Sequence, residues 1–270
     1  MIEGLFIHPI KGCAPIAVRR ARVTLRGLED DRRWMVVDEA GRFLSQRELP
    51  AMGAVAVHGS GPDLIVAGEL TRPRDLAEGP RREVSVWSHT GEALVHEAGS
   101  AWFSRRLGRP CSLVFMPDDV VRPVNPARGR PGDLVSFADG YPVLLATEAS
   151  RAEVERRAGV PIAMARFRPN VVTSAPSPFD EDRWRALSLG AVSFRNVKPC
   201  ERCVVTTLDP TTQAPGKEPL RTLATFRARD GAVWFGVNLI PDGEGELRVG
   251  DPVQVTEFQP PFVEAGSGDA

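Results

Sequence analysis

The feature that most restricts this chain is how its apolar residues are divided into short pieces over the first hundred positions. Ile2 to His8, Val18 to Leu25, Trp34 to Val37, Met52 to Val57, Leu64 to Val66 and Val84 to Trp87 are apolar, often alternating runs. Gly, Pro and Asp punctuate them at roughly the 8–12 residue spacing of small β-sheet domains. Alternation buries one face of a strand and wets the other, so the pattern predicts sheet, with Asp38-Glu39-Ala40-Gly41 as a turn. A helix is predicted near Ser100 to Leu107, where Trp102, Phe103 and Leu107 lie close to one face.

From about Met116 to Leu134 the chain turns polar and rich in Pro, Arg, Gly and Asp, the composition of a linker or mobile loop. Pro142 to Ala146 then reads as a buried strand. The next stretch, ASRAEVERRAG, holds good helix formers closed by Gly159, with Thr147 as N-cap. A helix that starts just after a strand is a natural anion site, because its unpaired N–H groups point outward; an ordinary cap without a ligand is the plainer reading. Further strands are predicted at Asn170 to Thr173, Ser188 to Phe194, Val204 to Leu208, Ala232 to Leu239 and Val253 to Phe258, with turns at 242–245 and 249–252. The fold class is mostly β with minor α, in two successive β-rich units divided as 1–115 and 116–260. Residues 261–270, ending in EAGSGDA, read as a disordered tail.

The 270 residues give room for one large or two ordinary domains. A formal net charge of −1 argues against a nucleic-acid binder driven by bulk electrostatics. No run approaches the ~18–20 apolar residues that span a bilayer. The start, MIEGLFIHPIKG, lacks a signal peptide's basic opening and apolar core. Four scattered cysteines do not make a disulfide framework, so free thiols in a reducing cytoplasm are expected. The positive charge is nearly all arginine, the side chain that grips phosphate bidentately, which leaves an arginine-lined anion pocket open.

Chemistry concentrates in residues 198–210, KPCERCVVTTLDP, where Cys200 and Cys203 stand in a C-x-x-C spacing. A structural zinc site needs four N or S ligands, usually as two close pairs, and Cys13, Cys111 and the four histidines show no such pairing. A thioredoxin-type pair opens a helix after a strand, whereas Cys203 leads into VVTTL, a strand-favouring run. No G-x-S-x-G, P-loop or G-x-G-x-x-G sequence is present. Cys13 and Cys111 read as small buried hydrophobes. Cys203 differs in its setting, because Lys198 and Arg202 stand close enough in sequence to support the thiolate that binds metals. HPIKGC with Lys11, DDRRWMVVD with Arg32 and Arg33, LSQRELP with Arg47, and FRPN with Arg168 and Asn170 could supply an anion pocket. Together these segments point to a soft thiolate beside a phosphate-bearing ligand rich in hydrogen-bonding groups.

In order, HPIKGC, DDRRWMVVD, SFADGYPVLLATEAS, RFRPNVV, FDEDRW, KPCERCVVTTLDP and RVGDPV resemble the MOSC proteins, named for the molybdenum-cofactor sulfurase C-terminal domain. The form resembled carries an additional N-terminal β-barrel domain, and the nearest likeness is to bacterial relatives of the mitochondrial amidoxime-reducing component. The resemblance covers nearly the whole chain and implies a MOSC β-barrel domain preceded by a smaller β-barrel-like one. It implies a molybdenum-pterin cofactor of the molybdopterin type, with Cys203 as the protein's ligand to the metal, and it leaves pyridoxal phosphate binding open. It also implies that Lys11, Arg32 and Arg47 help hold the pterin and its phosphate, and that Thr147, Ser150, Arg168, Asn170 and Arg202 line the same site. Cys200 matches a less regular family position and is expected beside the metal ligand. Asp209 matches as a catalytic proton donor or orienting group, or else as a plain Asp-Pro turn. The activity implied is reduction of small N-hydroxylated or N-oxygenated compounds. The chain has no cysteine set for an iron–sulfur cluster, so electrons are expected from a separate haem, flavin or iron–sulfur carrier. The alternative within the same resemblance is a cofactor or sulfur (persulfide) carrier without redox turnover.

Overall fold

A computed structural model describes residues 1–58, 64–68, 70–72 and 79–262. Most of the expected tail, 263–270, lies outside the described residues. Contacts divide the chain into two compact units that are interleaved in sequence. The first comprises Met1–Leu5, Val18–Gly27 and Pro142 onward; the second comprises Phe6–Ala17 and Leu28–Tyr141. The sequence pattern placed a single cut between 115 and 116. The interleaving has a hydrogen-bonded cause, since early strands complete sheets built by late ones. Ile2 to Leu5 pair with Val171–Thr173, and Arg20–Thr24 pairs antiparallel with Gly245–Arg248.

The main sheet of the first unit runs Val253–Phe258, Trp184–Leu189, Val192–Glu201, Ala232–Pro241, Val143–Thr147, Val171–Thr173 and Ile2–Ile7. Val143–Thr147 and Val171–Thr173 are parallel, with Thr147 opposite Thr173, and the other neighbours in this path are antiparallel. Parallel neighbours need a crossover, and the helix Glu148–Ala158 lies on it. That helix has the ends its sequence predicts: Thr147 accepts a hydrogen bond from the Ser150 N–H, and Gly159 closes it at φ +67°. Gly236 is also required by geometry, because at φ +70° a Cβ there would lie 2.7 Å from the Leu145 carbonyl oxygen. Against the sheet, Ala146, Val154, Ile162, Phe167, Leu223 and Phe235 form a buried core in which the Phe167 and Phe235 rings stack at 3.7 Å.

In the second unit, Trp34–Val37, Ser112–Phe115, His89–His96 and Arg81–Val86 pair in that order. Trp34, Val36 and Leu113 enter one core cluster, with Cys13, Cys111 and the helix residues Trp102 and Phe103; Met35, Val37 and Val114 enter another. Side chains alternate across a strand, so covering both faces leaves all four residues of Trp34–Val37 buried. The polar stretch after Met116 is anchored rather than a bare linker. Arg122, 5% exposed, donates to the carbonyls of Ser136, Ala138 and Asp139 and fastens the loop from beneath.

Three predicted strands take other forms. Ser188 to Phe194 is a hairpin, Trp184–Leu189 and Val192–Glu201, reversed at Gly190 (φ +55°). The first half of Met52 to Val57 is in a 3-10 turn, Pro50–Ala54, started by its proline. Val204 to Leu208 is also a 3-10 turn, Val204–Thr207. There the Thr206 and Thr207 hydroxyls donate to the carbonyls of Cys203 and Val204 at 2.9 and 2.8 Å, local bonds that override β propensity.

Candidate functional site around Cys203

The strand Val192–Glu201 is flanked on both sides only as far as Arg195; beyond it, pairing continues with Ala232–Pro241 alone. Pro199 lacks an N–H and is accommodated on this one-sided stretch, where the register shifts twice. The chain re-engages at Arg202, whose N–H donates to the Val233 carbonyl at 2.8 Å, and Cys203 then caps the Val204–Thr207 turn. Cys203 is partly exposed and in no disulfide. Val204, beside it, is 52% exposed.

Two arginines tie down the segment, Arg202 just before the turn and Arg166 at its far end. Arg202 donates through Nη1 to Cys200 Sγ at 2.9 Å and through Nη2 to the Phe167 carbonyl at 2.6 Å, tying the cysteine segment to Arg168 and Asn170. Arg166 donates through Nη1 to the carbonyls of Thr207 and Leu208, at 3.2 and 2.7 Å, and through Nη2 to Asp209 Oδ2 at 3.3 Å. Arg168 adopts φ +54° at the end of the Met164–Phe167 turn. Asn170 is buried and exchanges two hydrogen bonds with the Leu144 backbone, N to O at 2.8 Å and N to Oδ1 at 3.1 Å. Asp209 Oδ1 accepts from the N–H groups of Thr212 and Thr211 and from the Thr212 hydroxyl. Those amides, Thr212 first, and then Arg166 hold the carboxyl below its ordinary range. An open cleft of about 530 Å³ lies at the far end of the Cys203 turn, lined by Arg166, Thr207, Asp209, Lys217 and Arg221 among others. At ~2.0 Å per residue the turn is on the order of 8 Å long.

Thr147 and Ser150 are fully buried, and their hydroxyls are committed inside the protein. Both donate to Glu181 Oε2, at 3.1 and 2.8 Å, and the Ser150 oxygen also accepts from the Phe179 N–H. The acidic group beside this helix start is therefore the chain's own carboxyl. Burial and then the neighbouring Asp182 charge push it up to about 7, against the hydrogen bonds from Ser150 and Thr147. Asp182 in turn faces Arg227 at 2.6 Å, with both side chains buried.

The second unit gathers the other expected cations. Lys11 is buried and meets Asp139 at 2.5 Å; burial lowers its pKa although Asp139 opposes the shift. The Asp139 side chain is largely exposed, and Lys11 first, then Arg32 and the Trp87 N–H, hold its carboxyl well below the carboxylate range. Arg32 pairs with Asp31 at 2.6 Å. Arg47 lies 4.7 Å over the Trp87 ring, and the indole N–H donates to Asp139 Oδ1 at 3.2 Å. Trp87 sits in a two-residue hairpin tip at φ +54°, a conformation that costs such a residue of order 1–3 kcal/mol.

Arg166, Glu181, Asp182 and Asp139 carry no signal in the sequence beyond lying in segments of the family pattern, and Trp87 none beyond ending a predicted strand. Their roles come from burial and pairing that spacing does not encode. Among the described residues, no three His, Cys, Asp or Glu side chains come together as a metal-binding group.

The fold and the cysteine turn define a MOSC-type protein. The MOSC domain model matches residues 133–254, and the model for the MOSC N-terminal beta barrel domain matches residues 1–110. The chain belongs to the MOSC-domain proteins that carry this N-terminal barrel. It is 31% identical to mitochondrial amidoxime-reducing component 1 of Xenopus laevis, over 94% of this chain and 81% of that protein. The human protein of the same name is also 31% identical, over 93% of this chain and 82% of its own length. Molybdenum cofactor sulfurase of Oryza sativa subsp. japonica is 29% identical over 97% of this chain, which spans only 36% of that protein.

Proposed function

We propose that the protein is a molybdenum-cofactor-dependent reductase of N-hydroxylated or N-oxygenated small molecules, supplied with electrons by a separate redox protein. The observation that carries the reading is the Cys203 turn: a partly exposed thiol on a backbone held by two arginines. Its sulfur fits a molybdenum-pterin group, because one soft sulfur donor suits a metal whose remaining ligands arrive with a cofactor. When bound, that group would supply the two-electron chemistry that removes the N–O oxygen as water. The similarity to amidoxime-reducing components supports this substrate class.

The chain's own residues prepare that chemistry. Cys203 offers the sulfur. Arg202 keeps Cys200 and the Phe167 carbonyl in place beside it. Arg168 and Asn170 belong to the segment that Arg202 ties to the cysteines. Asp209, kept ionised by its donors, acts as an orienting acceptor for Arg166 and the 211–212 turn rather than as a proton donor. No helix among the described residues is long and apolar enough to cross a membrane. In protein from a cofactor-synthesising host, a chemical reductant is expected to drive benzamidoxime to benzamidine. Cys203→Ala is expected to abolish that turnover with its unfolding midpoint unchanged; turnover at the wild-type rate would overturn the assignment.

The similarity to a molybdenum cofactor sulfurase favours one second reading, a carrier of cofactor or persulfide sulfur on Cys203. A persulfide on Cys203 without molybdenum or turnover would select it.

A further inference from the structure

The cleft at the far end of the Cys203 turn lies wholly within the first unit, and the chain itself fastens its walls. Asp209 donates its N–H to the Ala214 carbonyl at 2.9 Å, and its carbonyl accepts from the Gln213 N–H at 2.8 Å, which closes the loop after the turn. Gly216 then lies so near the turn that a Cβ there would stand 3.1 Å from the Thr207 carbonyl oxygen, the same oxygen that accepts from Arg166. Arg221 donates its N–H to the Lys217 carbonyl at 2.9 Å, a helical turn that brings two residues four apart onto one face. Both line the cleft.

The charged lining is Arg166, Lys217, Arg221, Asp209 and Glu218, and its acids are already committed. Asp209 Oδ1 takes three donors from residues 211 and 212, and Oδ2 faces Arg166 at 3.3 Å. Glu218 Oε1 pairs with Arg221 Nε at 2.6 Å, and Oε2 accepts from the Thr222 N–H at 3.1 Å. Each acid has its arginine, and Lys217 is the cation left over: it is exposed, and no carboxylate among the described residues pairs with it. Arg221 uses only Nε on Glu218, which leaves its Nη groups for an incoming oxyanion. About 530 Å³ is room enough for part of a small molecule, and a surplus of one positive charge selects a monoanion.

We propose that this cleft is a subsite for the carboxylate of a small molecule, held by the Lys217 ammonium and the Arg221 guanidinium, whose N-oxygenated end lies at Cys203. The Val204–Thr207 turn separates the two ends by on the order of 8 Å, the reach of one substituted aromatic ring. That this molecule is the substrate rests on the proposed reductase function; the carboxylate subsite does not.

Calorimetric titration of cofactor-loaded protein with three probes tests this: benzamidoxime carries the N–O end alone, benzoate the anion alone, and para-carboxybenzamidoxime both. The two-ended probe is expected to bind roughly fivefold more tightly than benzamidoxime, and more tightly than benzoate, because both its ends are held at once. Added salt is expected to erode that advantage and to leave benzamidoxime unaffected. Lys217→Gln is expected to remove the advantage and Lys217→Glu to turn it into a penalty, with the molybdenum content unchanged. Lys217 is exposed and unpaired with any described carboxylate, so Lys217→Gln is expected to melt within about 2 °C of wild type, and a loss of binding is then not a loss of fold. A wild type that binds the two-ended probe no better than benzamidoxime, or an advantage that survives Lys217→Glu, overturns the subsite. If benzoate binds as tightly as the two-ended probe and Lys217→Glu weakens both equally, the cleft takes a free anion and the substrate assignment is overturned. None of these titrations requires turnover, so a failed reductase assay beside a benzoate response that Lys217→Glu abolishes would count against the proposed function alone.

Discussion

Glu181→Gln isolates the buried carboxyl at the start of the Glu148–Ala158 helix. In the folded protein Glu181 is fully buried, accepts from Thr147 and Ser150, and leaves Oε1 without a partner. Burial and the adjacent Asp182 charge raise its carboxyl from 4.5 to about 7. A folded pKa above the unfolded one means that the folded state holds the proton more tightly. The associated stability is complete below pH 4.5 and is lost as pH rises through about 7. At about 1.4 kcal/mol per pH unit, the loss is about 3 kcal/mol. Gln keeps the shape and does not titrate. Urea unfolding of both proteins between pH 4.5 and 8.5 is therefore expected to give similar midpoints at the acid end. The variant should become progressively more stable than wild type, by about 3 kcal/mol, at the alkaline end. Asp182 titrates in both proteins and largely cancels in the difference. A difference that stays constant across this range, or a wild type that gains on the variant as pH rises, would refute the reasoning.

Asp182→Asn leaves Arg227 buried without its carboxylate, so a loss of about 3 kcal/mol or more is expected in the same urea assay. Arg202→Lys cannot bridge Cys200 Sγ and the Phe167 carbonyl at once; a loss of about 1–2 kcal/mol is expected, together with a fall in turnover. Asp139→Asn removes the group that opposes desolvation at Lys11, so nitrogen-detected NMR should find the Lys11 ammonium titrating at lower pH than in wild type.

Much of the fold was legible because apolar runs, continuous or alternating, are a direct record of burial. Trp34–Val37 and Val253–Phe258 have the predicted ends, and Thr147 and Gly159 cap their helix as their chemistry requires. What escaped the sequence was decided by contacts between distant or unexpected partners. The β-branched run after Cys203 became a turn because two threonine hydroxyls bond back to the chain. Arg20–Thr24 pairs with Gly245–Arg248, a partnership that no local pattern announces. In the site, Cys203 and Arg202 stood out by spacing and charge. Glu181 and Asp182 did not, because charged residues ordinarily lie on the surface and only the folded core gives them partners. Trp87 read as the end of a strand, and its exposure at the hairpin tip appears only once the register is set.

The most direct test of the central claim is X-ray absorption at the molybdenum edge, on protein purified from a cofactor-synthesising host. Wild type is expected to show one more sulfur neighbour around the metal than Cys203→Ser does. The same sulfur shell in both proteins, or a wild type that carries no molybdenum, would contradict Cys203 as the metal's protein ligand.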